Sequence, residues 1–92
     1  MPLLFVLLLE MFNDQNKIFL SDLQPGDCAT VVELTSKGAI KQRLLEMGFT
    51  RGTVVKVEKY APMGDPIEFV IKGYHLSLRK EECRCILVIK EP

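Results

Sequence analysis

Residues 43–52, R-L-L-E-M-G-F-T-R-G, decide the fold because they end a helix and lead into a strand. Three apolar side chains recur here at the i, i+4, i+7 spacing of one helical stripe: Ile40, Leu44 and Met47. Gly48 stands where a helix end favours a left-handed residue, and Gly52 where a turn precedes an apolar run from Val54. A helix of about nine residues is marginal alone, so we expect its stripe to pack on the neighbouring strands.

Short runs of β-branched and alternating apolar residues flank this helix. They predict five strands: 28–35, 53–60, a pair around Phe69 and Leu76, and 83–89. Glycines and prolines mark the turns and caps: Gly26, Gly48, Gly52, Pro62, Gly64, Pro66 and Gly73. Ser21 is expected to cap a one-turn helix, and residues 80–82 to form a polar turn. The pattern predicts a mainly β fold, a small five-stranded SH3-like barrel with one inserted short helix, whose sheet closes on itself.

Composition and charge limit the function classes. The 92 residues suffice for one small domain, and a 48% hydrophobic content can fill a single core. Twelve basic residues against twelve acidic ones give zero formal charge, which argues against nucleic-acid binding, since that needs uncompensated positive charge. Three cysteines without paired spacing argue against a disulfide framework and favour a reducing, cytoplasmic environment.

Residues 3–9, L-L-F-V-L-L-L, form an unbroken apolar run. The run is far shorter than the roughly 20 residues of a membrane helix and lacks the flanks of a signal peptide, so we expect no membrane insertion. We expect an extra apolar helix that covers a patch on its own domain or, as a homo-oligomer contact through Leu3 to Leu9, on a second copy. Two alternatives stay open: sequence upstream of a start at Met11, and a weak membrane-surface contact. The predicted organisation is an N-terminal extension over 1–17, ending in a polar linker, and a domain over 18–92.

Five ordered motifs follow the extension. They are L-S-D-L-x-P-G-D at 20–27, R-L-L-E-M-G-F at 43–49, x-G-T-V-V-K-V at 51–57, A-P-M-G-D-P-I at 61–67 and G-Y-H-L-S-L-R-K-E-E at 73–82. Together they resemble the ferrous-iron transport protein A (FeoA) family. The family pattern begins near Phe19, Cys83 stands where a small residue is usual, and Cys85 where a polar one is common. The resemblance therefore explains neither residues 1–17 nor these thiols.

The resemblance implies an SH3-like barrel with an inserted helix, no enzymatic activity, and a cytoplasmic accessory of the FeoB membrane ferrous-iron transporter. The same fold occurs as the C-terminal domain of DtxR-type repressors, but no room for a DNA-binding helix-turn-helix is expected here. Our first hypothesis is a non-catalytic regulatory module that binds the cytosolic part of FeoB. The alternatives are a cysteine-based transition-metal sensor or chaperone, and a self-associating interaction module.

A candidate partner surface combines five side chains from the helix, a loop and a strand: Leu45, Met63, Asp65, Tyr74 and Arg79. Leu45 lies off the helical stripe, so we expect partial exposure, as a binding surface requires. SH3-like barrels offer a peptide groove between loops, and the 61–66 loop is the candidate here. Asp65 is expected to accept backbone N–H bonds that hold this loop, with partner contact as the alternative. Arg79 is expected to bridge to a glutamate of residues 80–82 or to meet a partner carboxylate.

No catalytic constellation appears in the sequence, since the single histidine, His75, has no identifiable nucleophile beside it. A metal site would draw on four side chains: Cys28, Cys83, Cys85 and His75. They lack the C-x-x-C spacing of strong metal motifs, so we interpret the cysteines as small buried hydrophobes and His75 as solvated. We therefore expect neither bound iron nor another cofactor.

Overall fold

The computed structural model describes residues 3–4 and 17–91 of the chain. Its strands are β1 Lys17–Phe19, β2 Cys28–Leu34, β3 Val54–Tyr60, β4 Ile67–Ile71, β5 Tyr74–Leu78 and β6 Ile86–Lys90. Helix α1 (Gly38–Glu46) lies between β2 and β3, and the single turn α2 (Lys80–Cys83) between β5 and β6. A 3-10 turn, Leu20–Asp22, follows β1. Within residues 17–91, the six strands form one antiparallel sheet in the order β1-β6-β2-β3-β4-β5.

The prediction of five strands was wrong, because β1 adds a sixth. It begins at Lys17, the last residue of the predicted linker, and pairs with β6, so that Ile18 lies opposite Val88. Val31 of β2 meets Val88 from the other side. Three residues are too few to show an alternating pattern, so this strand depends on a partner that is distant in sequence.

The prediction of a closed barrel was also wrong. Within residues 17–91, β1 and β5 remain the two edges of the sheet, with no backbone pairing between them. Bulges between Val31 and Glu33 and between Val57 and Lys59 interrupt the register and bend the sheet. The edge strands lead into the Leu20–Asp22 turn and α2, which contact each other. The bent sheet is therefore completed by two short helical turns.

One main core fills the inner face of the sheet. Its fully buried members include Leu20, Leu23, Val31, Leu44, Phe49, Val55, Ile67, Phe69, Leu78, Ile86 and Val88. Phe49 and Phe69 pack edge to face, with ring centroids 6.4 Å apart and planes at 87°. Such a pair contributes about 0.5–1.5 kcal/mol beyond its burial. The aromatic contact joins the segment after α1 to the centre of β4.

The stripe on α1 enters the core only in part. Leu44 is fully buried and Met47 half-buried, but Ile40 keeps 52% of its surface exposed, so its predicted burial was wrong. The helix meets the core through its C-terminal half, because the chain turns there toward Phe49. Gly48 has a φ of +106° at this turn, and the Phe49 N–H donates to the Leu44 carbonyl at 3.1 Å.

The first helical turn is capped differently from the prediction. The Phe19 N–H donates to Asp22 Oδ2 at 3.1 Å, so the carboxylate of Asp22 satisfies a donor at the start of the turn. Ser21, the predicted cap, lies inside the turn. The Tyr60 hydroxyl donates to the Leu23 carbonyl and secures the end of this turn against β3.

The polar turn predicted at 80–82 is helical, and the last strand begins at Ile86 rather than at Cys83. Glu82 Oε1 accepts the Arg79 N–H at 2.9 Å, which satisfies a donor at the helix start. The sequence signal for this helical turn was Glu82, a carboxylate three residues after Arg79, whose backbone N–H it accepts.

The predicted N-terminal helix lies outside the described residues, except for Leu3 and Leu4. These two leucines are 60% and 68% exposed, and they give no support to a packed helix. In the described part of the chain, no helix has the length and apolar character that crossing a bilayer demands.

Leu44→Ala is expected to lower the free energy of unfolding by about 2–5 kcal/mol, because it leaves a cavity beneath α1. Ile40→Ala, on the exposed end of the same stripe, is expected to cost less than about 1 kcal/mol. Urea unfolding of the full chain measures both. Equal losses at the two positions would contradict the placement of Ile40 outside the core.

Candidate functional site

A groove with a volume of about 700 Å³ lies between α1 and the junction of β5 with α2. Its lining residues are Ile40, Arg43, Pro66, Ser77, Leu78, Arg79, Glu81, Glu82 and Cys85. We call this site the α1–α2 groove. It is set by two elements that follow from the local sequence: the exposed end of the α1 stripe and the capped turn α2.

Glu82 connects the two sides of the α1–α2 groove. Its Oε1 caps α2 through the Arg79 N–H, while its Oε2 accepts a hydrogen bond from the Arg43 guanidinium. The Glu82 side chain is 13% exposed and that of Arg43 59% exposed, so water screens the pair. The bridge is worth about 0–1 kcal/mol, and it serves mainly to orient Arg43.

Asp65 ties the 61–66 loop to the same site. Its Oδ1 accepts the Lys80 N–H at 3.0 Å, the first backbone donor of α2. The Ala61 N–H also donates to the Pro66 carbonyl at 2.9 Å, which closes the loop on itself. The loop, α2 and the end of β5 are therefore held together by backbone donors and carboxylates.

The α1–α2 groove presents both an apolar and a charged group. Ile40 is 52% exposed, and Arg79, which is also exposed, lines the same groove. Within residues 17–91, the Arg79 guanidinium has no carboxylate partner. The predicted ion pair between Arg79 and a glutamate is not formed, and Glu82 pairs with Arg43 instead. The groove therefore offers an apolar contact and a cation that is available to a partner carboxylate.

The structure does not bring the five predicted partner residues together. Arg79 lines the groove. Asp65 is not part of the lining, but its carboxylate accepts the Lys80 N–H. Leu45 is half-buried and also lies outside the lining. Met63 is 91% exposed on the 61–66 loop, at the end of β4 that pairs with Leu78. Tyr74, 74% exposed, begins β5 at the opposite end of that hairpin.

Two residues of the groove lining, Ile40 and Arg43, were not among the five predicted partner residues. Ile40 matched the apolar stripe and was assigned to the core, although its place in the first turn of α1 leaves it beyond the sheet. No sequence signal links Arg43 to Glu82, because the two are 39 residues apart.

The cysteines and His75 occupy separate places. Cys28 begins β2, Cys83 ends α2, and His75 lies on β5 opposite Val70. Cys83 and Cys85 share no strand face, since both precede β6, and the Cys85 thiol donates to the Glu81 carbonyl at 3.7 Å. Across the described residues, no group of three or more His, Cys, Asp or Glu side chains is placed to hold a metal ion.

Cys83 is the strongly perturbed titratable group near the groove. Burial, reinforced by the negative charges of Glu82 and Asp65, raises the pKa of its thiol from 9.0 to about 12. The thiol therefore stays protonated at neutral pH, as expected for a small buried hydrophobe rather than for a nucleophile or a metal ligand.

Comparison with known proteins identifies related sequences. The FeoA domain model matches residues 18–90. The Fe(2+) transport protein A/Fe(2+) transporter FeoB fusion protein of Porphyromonas gingivalis is 41% identical over 69 residues. This match takes in 75% of the chain but 8% of the fusion protein, so the chain spans only a small part of that relative's length.

Solved structures share the architecture. The FeoA-like protein of Clostridium acetobutylicum is 37% identical, with a TM-score of 0.74 over 79% of this chain and 85% of that one. The FeoA of Stenotrophomonas maltophilia, described as a prokaryotic SH3 domain protein and solved in complex with zinc, is 27% identical. Its TM-score is 0.71 over 80% of this chain and 95% of its own. The SH3-like character that the strand pattern predicts thus agrees with a related fold, although the sheet here stays open.

The pKa of Cys83 predicts a specific dependence of stability on pH. Because the thiol binds its proton more tightly in the folded chain, its contribution to stability is complete below about pH 9 and is lost as the pH rises toward 12. The original chain should therefore lose stability more steeply above pH 9 than a Cys83→Ala variant. Urea unfolding of both chains at a series of pH values measures this difference. Two parallel curves above pH 9 would show that Cys83 is not perturbed.

Proposed function

The chain belongs to the FeoA domain family, associated with ferrous iron transport, and we propose that it is a non-catalytic regulator that binds a FeoB-type transporter. The observation that carries this proposal is the Porphyromonas gingivalis relative, which combines a FeoA part and a FeoB part in one polypeptide. Covalent linkage places two modules at high effective concentration, which favours contact between them. The site of action is the cytosolic part of the transporter.

The α1–α2 groove is the surface proposed to meet the transporter. Its lining combines an exposed isoleucine, Ile40, with Arg79, which has no carboxylate partner within residues 17–91. Arginine is enriched at protein interfaces, and an exposed apolar side chain can be buried there. The complementary segment would carry an apolar side chain for Ile40 and a carboxylate for Arg79. A charge-assisted contact of this kind fixes the orientation of the partner as well as adding affinity.

Regulation follows if the domain prefers one transporter conformation. A bound partner shifts a conformational equilibrium only by the difference between its affinities for the two states. A tenfold preference is worth about 1.4 kcal/mol and, at saturation, changes the ratio of the two transporter conformations tenfold. The domain supplies no chemistry in this mechanism. No observation in the described residues favours the alternative of a cysteine-based metal sensor.

The test measures binding of the full chain to the cytosolic segments of its FeoB-type transporter and to the whole transporter in membranes. We expect association, and we expect Arg79→Glu to weaken it at least about tenfold, because the variant places a carboxylate against a carboxylate. Ile40→Asp should weaken it similarly, since it removes the apolar contact. Neither side chain supports the core, so both variants should fold.

Lys56→Glu is the matched control, because Lys56 is an exposed cation on β3 and is not part of the groove lining. It makes the same charge change as Arg79→Glu and should leave the affinity within about twofold. If the unaltered chain shows no association with any segment or with the whole transporter, the proposed function is wrong. If all three variants weaken binding equally, the contact surface lies outside the groove.

A further inference from the structure

The outer edge of β5 presents backbone groups that no strand within residues 17–91 pairs. Folded proteins usually protect such an edge with charged side chains, prolines or bulges, because it can add a strand from another chain. The five residues of β5, Y-H-L-S-L, include no proline, lysine or acidic residue, and their register with β4 is unbroken. The opposite edge, β1, has only three residues. In the described part of the chain, β5 is therefore the edge suited to strand addition.

The turn between β4 and β5 determines which of these backbone groups point outward. Lys72 and Gly73 form a two-residue hairpin turn and have φ values of 50° and 82°. Two central residues with positive φ are typical of a tight type I′ turn. In such a hairpin the flanking residues, Ile71 and Tyr74, are a hydrogen-bonded pair.

Two residues of β5 consequently direct their backbone groups away from β4. Hydrogen-bonded and non-hydrogen-bonded pairs alternate along an antiparallel ladder, so the N–H and C=O groups of His75 and Ser77 point outward. Both residues are exposed. The N–H of Arg79, the next residue in this alternation, already donates to Glu82. The edge thus offers two donors and two acceptors, at His75 and Ser77.

This edge continues into the α1–α2 groove. Ser77 and Arg79 both belong to the groove lining, and Ile40 of α1 belongs to it as well. Strand addition takes affinity from backbone hydrogen bonds and specificity from the sites that receive alternate side chains. The β5 edge supplies the backbone groups, while Ile40 and Arg79 supply an apolar and a cationic site for side chains.

We propose that the cytosolic segment of the transporter binds as an extended strand that pairs with His75 and Ser77. This inference rests on the proposed function and adds the conformation and chemistry of the bound segment. The segment carries a carboxylate for Arg79 and an apolar side chain for Ile40. It has no proline at the paired positions, because proline lacks the N–H that the ladder requires.

Charge favours this occupant over a second copy of the chain. Two copies joined antiparallel through His75 and Ser77 would place Arg79 opposite a residue of the 71–75 stretch, I-K-G-Y-H. This stretch contains no aspartate or glutamate, so the second copy would bring no carboxylate opposite Arg79. A transporter segment with an acidic residue satisfies the guanidinium as well as the backbone.

The experiment measures amide hydrogen exchange of the labelled full chain, free and bound to the cytosolic part of its FeoB-type transporter. In the complex, exchange at His75 and Ser77 should slow at least about tenfold, because their N–H groups enter a ladder. Leu76 is the internal control: its N–H already pairs with β4, so its exchange should change less than about twofold. This alternation distinguishes a paired strand from a contact that only covers the surface.

A pair of substitutions at one position isolates the backbone contribution. Ser77→Pro removes an outward N–H and should weaken binding at least about tenfold. Ser77→Ala keeps the N–H and should weaken binding less than about threefold, which reports the share of the side chain. Proline is tolerated on an edge strand where the N–H faces away from the sheet, so the variant should fold. If it does not fold, the exchange measurement on the original chain decides.

The outcomes separate this inference from the proposed function. Absence of association would overturn the proposed function, and this inference with it. Association that leaves exchange at His75 and Ser77 unchanged, or equal affinities of the Ser77→Pro and Ser77→Ala variants, would overturn strand pairing alone. Slow exchange of both amides in the free chain would also overturn it. Protection that disappears on dilution would identify a second copy as the occupant, and protection that persists would show an edge already paired within the chain.

Discussion

The structure depends on enclosing the inner face of a sheet whose two edges do not pair. A sheet with one apolar face must be covered, and in this small domain the cover is assembled from short pieces. Leu44 and Phe49 bring the end of α1 over the face, where Phe49 meets Phe69. The Leu20–Asp22 turn, which follows β1, contacts α2, which follows β5. Each piece is too short to be stable alone, so the core and its cover form together.

The same covering pieces build the groove that we assign to partner binding. Glu82 begins α2 through the Arg79 N–H and holds Arg43 of α1, while Asp65 caps α2 from the 61–66 loop. The carboxylates of Glu82 and Asp65 accept hydrogen bonds from backbone N–H groups and from Arg43, so neither of them pairs with the Arg79 guanidinium. Arg79 lines the groove instead. Closure of the fold and presentation of a binding surface are therefore achieved by one set of contacts.

Much of the fold follows from local sequence, and the departures have physical causes. Alternation predicted the strand that contains Phe69, and the capping position predicted the turn at Gly48, because both signals arise within a few residues. β1 was missed because the strand that pairs with it is distant in sequence. α2 was predicted as a polar turn, although its capping carboxylate, Glu82, is only three residues from Arg79. Ile40 matched a helical stripe that extends beyond the core, and periodicity does not reveal where a neighbouring sheet ends. The motifs predicted the family, which the domain model confirms. Two of the predicted partner residues, Met63 and Tyr74, lie at opposite ends of a hairpin, a separation that the sequence does not reveal.

The most direct test of the account is amide and methyl NMR of the labelled full chain titrated with the cytosolic part of its FeoB-type transporter. We predict shifts concentrated at Ile40, Arg43, Ser77 and Arg79, with the signals of Lys56 unchanged. Shifts centred on another face, or a spectrum that stays unchanged at saturating concentrations of the whole transporter, would contradict the claim that the groove between α1 and α2 recognises this partner.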